Sequence, residues 1–274
     1  AGVLTFASAP DYETKSSYTA TVTASDGTNS TTQAITVNVT DVNEAPAFTS
    51  NATFSAAENQ TAIGTVAASD ADSDTITYSV SGSEITINSS SGVIAFASAP
   101  DYETKSSYTA TVTASDGTNS STQDITVNVT NVNDNSPSFT SSATFSADEN
   151  QTAIGTVAAS DADSDTITYS VSGTDSGSVS INSSTGVLTF NSAPNYESKN
   201  SYSATVAASD GTNSTTQDIT VNVTDVNEAP VATAASYYLN LLPQSQTSGT
   251  ITLAGIDEDG DTLTYSIVSN GSYG

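Results

Sequence analysis

Asp101-Tyr-Glu-Thr-Lys-Ser-Ser-Tyr-Thr-Ala-Thr-Val-Thr-Ala-Ser-Asp116-Gly117 is the stretch that decides the fold. Tyr108, Ala110, Val112 and Ala114 alternate with Thr109, Thr111 and Thr113. A period of two marks a strand with one buried face. The same string already stands at Asp11 to Gly27, 90 residues earlier, and it returns 94 residues later, varied, at Asn195 to Gly211. Self-similarity at that spacing is the signature of an array of repeated domains.

Working outward, Ile76, Tyr78 and Val80 alternate in the same way, as do Ile125, Val127 and Val129. Strands are expected at 52–56, 62–68, 75–80, 84–88, 93–97, 107–115 and 122–130. Seven short strands in about 90 residues, separated by Gly, Asn, Asp and Ser, point to an antiparallel Greek-key β-sandwich. No segment shows helical apolar spacing, so the fold class is all-β. Asp41-Val-Asn-Glu-Ala-Pro46, Asn131-Val-Asn-Asp-Asn-Ser-Pro137 and Asp225-Val-Asn-Glu-Ala-Pro230 each close an apolar run with a proline, which cannot continue a ladder. Read as linkers, they divide the chain into a partial repeat (1–43), two whole repeats (44–133 and 134–227) and a diverged partial repeat (228–274). Ala1 to Phe6 aligns with the repeat interior at Ser91 to Phe96, so the chain reads as a window on a longer protein. The third repeat carries an insertion at Thr174 to Ser178.

Composition removes whole classes of function. Thirty acidic side chains face three lysines, with no arginine or histidine, for a formal net charge of −27. Phosphate recognition needs a basic face, so nucleic acid is excluded as a partner, and an anionic membrane surface with it. No apolar run approaches the ~20 residues of a membrane span. Hydrophobic residues make up 35% of the chain and follow strand periodicity, which argues against disorder. Cysteine is absent, so no disulfide supports these Ala- and Val-rich cores, and marginal stability without a ligand is expected. The narrow residue alphabet fits a large exported, extracellular or cell-surface repeat protein.

Acidic positions recur in register. A glutamate precedes the second strand at Glu58 and Glu149. Loop pairs stand at Asp11/Glu13 and Asp101/Glu103, with Asn195/Glu197 as the variant. The linkers supply Asp41, Asn43 and Glu44; Asn131, Asn133, Asp134 and Asn135; then Asp225, Asn227 and Glu228. Asp-x-Asp occurs at Asp70/Asp72, Asp161/Asp163 and Asp257/Asp259, and an Asp precedes Gly at Asp26, Asp116 and Asp210. Hard divalent cations take six to eight oxygens and little nitrogen or sulfur. Calcium suits many converging protein oxygens better than magnesium, which keeps its waters. Structural zinc lacks its ligands here. Turn chemistry is the plainer reading of any single Asp-x-Asp. It is retained for the third aspartate of each triplet, Asp74, Asp165 and Asp261. An EF-hand is excluded because Thr75 stands where its glycine belongs and Ser81 where its bidentate glutamate belongs.

Taken in order, Glu58-Asn59, Asp101-Tyr102-Glu103, Asn131 to Pro137, Asp161-Ala162-Asp163 and Ala208-Ser209-Asp210-Gly211 resemble the calcium motifs of the cadherin repeat in its bacterial form. The resemblance implies about three Ca²⁺ at each linker, shared between consecutive domains. Carried across, it assigns the first linker Asp11, Glu13, Asp41, Asn43, Glu44, Asp70, Asp72 and Asp116. The middle linker receives Glu58, Asp101, Glu103, Asn131, Asn133, Asp134, Asn135, Asp161, Asp163 and Asp210. The third receives Glu149, Glu197, Asp225, Asn227, Glu228, Asp257 and Asp259. Three such linkers would bring roughly +18 against the −27 of the chain. Glu44 and Glu228 depart from the family's linker aspartate, and Asn195 removes a charge. Weaker or fewer ions are therefore expected at the third linker.

The residues suggest a calcium-rigidified extender or filament region of a bacterial adhesin. A module that binds carbohydrate or another copy of the chain is the alternative. No catalytic residue is assigned, because the triads that rely on His or Cys lack them and the carboxylates repeat in every domain. Lys15, Lys105 and Lys199 read as solvated, salt-bridging side chains, with an isopeptide crosslink as the sharper alternative. Tyr12, Tyr102 and Tyr196 read as packing residues rather than a sugar-binding face.

Overall fold

The computed structural model describes residues 2–233 and 252–266. Most of the diverged segment, 234–251 and 267–274, lies outside the described residues. Two units are resolved, Ala1–Val132 and Asn133–Gly274.

In the first unit the partial repeat contributes β1 (Ser17–Ser25) and β2 (Ser30–Asn38). The whole repeat then runs through β3 (Ala47–Phe48), β4 (Thr53–Ala57), β5 (Ala62–Thr65), β6 (Ala68–Ser69), β7 (Thr77–Val80), β8 (Ile85–Ile87), β9 (Val93–Phe96), β10 (Ser107–Ser115) and β11 (Ser120–Thr130). One sheet has the order β4-β11-β10-β7, the other β5-β9-β8, and β3 pairs with β6. The alternating face of β10 and β11 supplies Val112, Ile125, Val127 and Val129 to a core closed from the second sheet by Val66, Ile85, Ile94 and Phe96. Phe96 meets Tyr108 edge-on at 5.0 Å between centroids. Burying the face of each strand against the other sheet is what the alternation demanded.

The sequence of β10 recurs unchanged in β1, yet Val112 is fully buried and its counterpart Val22 is 45% exposed. Identical residues thus differ in burial because the β1–β2 hairpin has no second sheet facing it among the described residues.

Two features differ from the expected antiparallel seven-strand pattern. Ahead of the expected strand 52–56, an unexpected β3 pairs antiparallel with β6, whereas β4 crosses over and pairs parallel with β11, Phe54 opposite Val127. The expected strand 62–68 is broken into β5 and β6. The break sends one part of the run to a main sheet and the other to the separate β3–β6 pair. Gly92 carries φ +68, and a Cβ there would lie 2.1 Å from the Val66 carbonyl oxygen. Only glycine fits that approach.

The second unit repeats the plan with β12 (Ser138–Phe139), β13 (Thr144–Asp148), β14 (Ala153–Thr156), β15 (Ala159–Ser160), β16 (Thr168–Ser172), β17 (Val179–Ile181), β18 (Val187–Phe190), β19 (Ser201–Ser209) and β20 (Ser214–Thr224). Its sheets run β13-β20-β19-β16 and β14-β18-β17, again with a parallel β13–β20 pair. The start of the diverged segment adds β21 (Val231–Ala232) and β22 (Gly255–Ile256), which pair antiparallel. The insertion sits between β16 and β17. Its Asp175 receives Lys199 Nζ and, at 2.8 Å, the Ser203 backbone N–H, while the Asp175 N–H donates to the Ser203 carbonyl at 3.0 Å. In the preceding repeat Glu84 holds the equivalent Lys105, at 2.6 Å. Each lysine also lies over a tyrosine ring, Lys105 at 4.3 Å from the Tyr108 centroid and Lys199 at 4.6 Å from that of Tyr202. Lys105 and Lys199 thus form the ion pairs expected of them, while Lys15 lies over Tyr18 at 4.5 Å from the ring centroid. Tyr102 and Tyr196 pack against the two cores, as expected.

Candidate metal centres at the repeat ends

Two buried glutamates anchor the acidic positions. Glu58 and Glu149 are each 3% exposed and have no cation beside them. Glu58 follows β4, and Asn59 turns the chain with a left-handed φ of 61° while its N–H binds the Pro100 carbonyl. Glu58 Oε2 accepts the Tyr102 N–H at 2.7 Å and Oε1 accepts the Val132 N–H at 2.7 Å. Glu149 repeats this with Tyr196 and Val226, at 2.8 and 2.9 Å. Each carboxylate therefore fastens the acidic loop to the start of the linker. Each oxygen keeps a second lone pair for a further partner.

Around these anchors the carboxylates crowd. In the first unit Glu13, Asp41 and Asp72 bring ligand oxygens within 4.8 Å of one another, and so do Asp70, Asp72 and Asp74. Glu58 and Glu103 approach equally closely. In the second unit the groups are Glu149, Glu197 and Asp225, then Asp161, Asp163 and Asp165, with Asp134 close to Asp163. Such spacing between like charges is costly without a counter-ion.

The linkers are fixed by hydrogen bonds to the same groups. Asp72 Oδ2 accepts the Glu44 N–H at 2.9 Å, and Asp259 Oδ2 accepts that of Glu228 at 2.7 Å. Asp163, 6% exposed, accepts the N–H groups of Asp134 at 3.1 Å and Asn135 at 2.8 Å. Asp116 Oδ1 takes the N–H groups of Thr118 and Asn119, both at 2.6 Å, and its Oδ2 takes the Asn43 amide at 2.8 Å. Asp210 uses Oδ1 in the same way, for Thr212 and Asn213. After these bonds, buried oxygens of Asp70, Asp161, Asp210, Glu228 and Asp259 have no hydrogen-bond partner. Unpartnered anionic oxygens beside other carboxylates, as on Asp70 and Asp161 in their groups and on Glu228 and Asp259 near Glu149 and Asp225, suit a hard cation.

Several expected ligands sit differently. Both oxygens of Asp11 are taken by Thr14, and both of Asp101 by Thr104, each at 3.0 Å from the backbone N–H and from the hydroxyl. They cap their own loops but, like Glu58, keep a second lone pair on each oxygen. Asp11 stands near enough to Glu44 to help raise its carboxyl, while the tightest groups contain Glu13 and Glu103. Asn43 and Asn227 donate to the carbonyls of Glu44 and Glu228. Asn131, Asn133 and Asn135 lie along the middle linker, where Asn133 Oδ1 accepts the Asn213 amide at 2.9 Å. Asp257 Oδ1 accepts the Asp261 N–H at 3.0 Å, the same turn bond that Asp70 makes with Asp74 and Asp161 with Asp165. Asp74 and Asp165, expected as turn residues alone, place carboxylates in the clusters as well as closing their turns. Asn119 and Asn213 were not among the expected site residues. Their amides reach the linkers, Asn119 to the Asn43 carbonyl at 2.7 Å. The signal was present in Asp-Gly-Thr-Asn, which stands at 26–29, 116–119 and 210–213.

The electrostatics separate the caps from the clusters. Partial burial opposes ionisation of Asp116 and Asp210, but the N–H groups of Asn119 and Thr118, and of Asn213 and Thr212, outweigh it and hold both carboxyls below their ordinary range. The clustered groups move upward. Burial comes first for Asp225, followed by Asp259 and Glu149. For Glu228 burial and Glu149 outweigh the amide of Asn150. Glu197 gains a favourable bond from its own backbone, yet burial and the carboxylates of Glu149, Asp225 and Asp259 push it up. Glu13 and Glu44 are raised by burial and neighbouring carboxylates at the first junction. Cation binding needs the deprotonated forms. Calcium added at about pH 5 should therefore release protons from these groups, and release should fade by about pH 7, where they are already ionised. A pH-stat titration checks the sign: proton uptake, or equal release at both values, would contradict it.

Comparison with known proteins follows the same lines. The cadherin domain model matches residues 52–130 and 142–224. The Drosophila melanogaster protocadherin-like wing polarity protein stan is 32% identical over 283 residues, covering 91% of this chain and 8% of that protein. Mouse cadherin-23 is 35% identical over 298 residues, covering 94% and 9%. The chain thus spans less than a tenth of the length of these curated relatives. Among solved structures, mouse cadherin-23 EC22-24 superposes with a TM-score of 0.60 at 27% identity, over 79% of this chain and 77% of that one. The protocadherin gammaB7 EC3-6 cis-dimer structure gives 0.62 at 26% identity, over 90% and 70%.

Proposed function

This chain belongs to the cadherin family, and from that premise we propose that it is a calcium-stiffened spacer in an extracellular adhesion protein. The observation that carries the proposal is the set of buried, unpartnered oxygens on Asp70, Asp161, Glu228 and Asp259, which stand beside other carboxylates: Asp70 and Asp161 in their Asp-x-Asp groups, Glu228 and Asp259 near Glu149 and Asp225. Calcium would be held at the first junction by Glu13, Asp41, Asp70 and Asp72. At the third it would be held by Glu149, Glu197, Asp225, Glu228 and Asp259. The ion would supply the charge compensation that the chain itself lacks. The protein's own part is to fix the oxygens: Glu58 and Glu149 tie loop to linker, and Asp116 and Asn213 tie hairpin to linker.

The proposed domains are 1–43, 44–133, 134–227 and 228–274, with about three ions at each linker between them. Near-identical repeats suit length rather than separate binding tasks. The residue alphabet, without Cys, Met, Trp, His or Arg, favours the extender region of a bacterial surface adhesin over an animal receptor. The repeated carboxylates then serve architecture and not catalysis. Homotypic contact is the second reading, favoured by the likeness to a protocadherin described as a cis-dimer. Small-angle scattering with calcium and with chelator tests the spacer. The expected result is a maximum dimension that shortens on chelation; an unchanged profile would defeat it.

A further inference from the structure

Two of the residues that set the third junction apart from the others touch each other. Where the earlier copies carry Asp11 and Asp101, the third carries Asn195. Where the earlier Asp-x-Asp motifs enclose Ala71 and Ala162, the last encloses Glu258. The Asn195 side-chain amide donates to Glu258 Oε1, 63 residues along the chain. Neither substitution is accounted for alone. Asparagine gives up a carboxylate in a calcium motif, and an added glutamate deepens an already anionic cluster. Together they make a neutral donor and a charged acceptor that satisfy each other.

The orientation of the amide is fixed. Asn195 Oδ1 accepts the Ser198 N–H at 2.7 Å, in the bond that Asp11 and Asp101 make with Thr14 and Thr104. A flip would set the NH₂ group against that N–H, donor facing donor. Asn195 therefore presents N–H groups, and not an oxygen, toward the junction. Those hydrogens carry partial positive charge and repel a cation. A hydrogen bond to a charged acceptor is stronger than one between neutral groups.

We propose that Asn195 and Glu258 form a clasp that replaces one calcium ion at the third junction, so that this junction binds one ion fewer than the first and keeps a direct link between its two repeats when calcium is absent. The proposal rests on reading the junctions as calcium sites. It goes beyond that reading by making the junctions unequal in kind: one is held by ions throughout, the other partly by a side-chain bond.

The test uses the full chain in three forms: wild type, Asn195→Asp with Glu258→Ala together, and Glu258→Ala alone. Equilibrium dialysis counts the calcium bound at saturation. The double variant restores the acid and the alanine of the earlier copies, and it is expected to bind one ion more than wild type. Equal counts would overturn the proposal. The clasp itself is read without calcium, from the NMR signals of the Asn195 side-chain NH₂ in chelator. Wild type should show a downfield, exchange-protected pair, and Glu258→Ala should return it to the position of a solvated amide. No change on Glu258→Ala would overturn the clasp. Absence of any calcium binding by wild type would instead defeat the proposed function, while the amide signals would still decide whether the clasp exists.

Discussion

Chelating calcium should lower the melting temperature of this chain by roughly 20 °C or more. At free calcium about a hundredfold above Kd, each ion that binds only the folded state contributes about 2.7 kcal/mol. For domains of this size, about 1 kcal/mol moves the melting temperature by about 4–8 °C. Two ions acting on one repeat would suffice. The cores give little in reserve: Val112, Ile125, Val127, Ile94 and Ala56 fill one and their counterparts the other, with no disulfide in support. In the absence of ions, the groups at Glu13, Asp41 and Asp72, and at Glu149, Glu197 and Asp225, repel one another at 4.8 Å or less. Magnesium at equal concentration should restore little, because it holds its water shell and these clusters demand that it be shed. Differential scanning calorimetry in calcium, magnesium and chelator checks both statements. Coincident transitions in calcium and chelator would contradict the first, and full rescue by magnesium the second.

Glu149→Ala should destabilise the second unit by about 2–4 kcal/mol even in chelator. The carboxylate accepts the Tyr196 and Val226 N–H groups while being almost fully buried. Removing it leaves both donors unpaired, and each unmet donor costs about 1–3 kcal/mol. In calcium the loss should be larger, since the same residue stands with Glu197 and Asp225. Glu149→Gln should recover part of the loss, because one carbonyl oxygen remains while its NH₂ faces an N–H. Urea denaturation with and without calcium separates the roles. A loss seen only in calcium would mean that Glu149 acts as a ligand alone and that the backbone bonds contribute nothing.

Much of this was legible in the sequence, and the limits have physical causes. The alternation in 107–115 gives the strand β10 to the residue, because a nine-residue amphipathic run has one way to bury its face. The parallel pairing of β4 with β11 was not legible, since periodicity reports which face is buried and carries no information on strand direction. The recurrence of Glu58 and Glu149 marked them as important. The bonds of Glu58 to Tyr102 and Val132, 44 and 74 residues away, follow only from the fold. Asn119 and Asn213 were visible in every copy of Asp-Gly-Thr-Asn, but that string reads as an ordinary turn until the linker is seen to pass beside it. Asn195 was legible as a lost charge. That the loss is answered by Glu258 required both side chains to be in place.

The proposed function puts cations where a linker meets the loops of consecutive repeats. Anomalous diffraction from crystals grown in calcium tests it most directly. The account requires calcium peaks among Glu13, Asp41 and Asp72, and among Glu149, Glu197 and Asp225. Peaks confined to the Asp70–Asp74 and Asp161–Asp165 turns, with none touching a linker residue or Glu149, would contradict it.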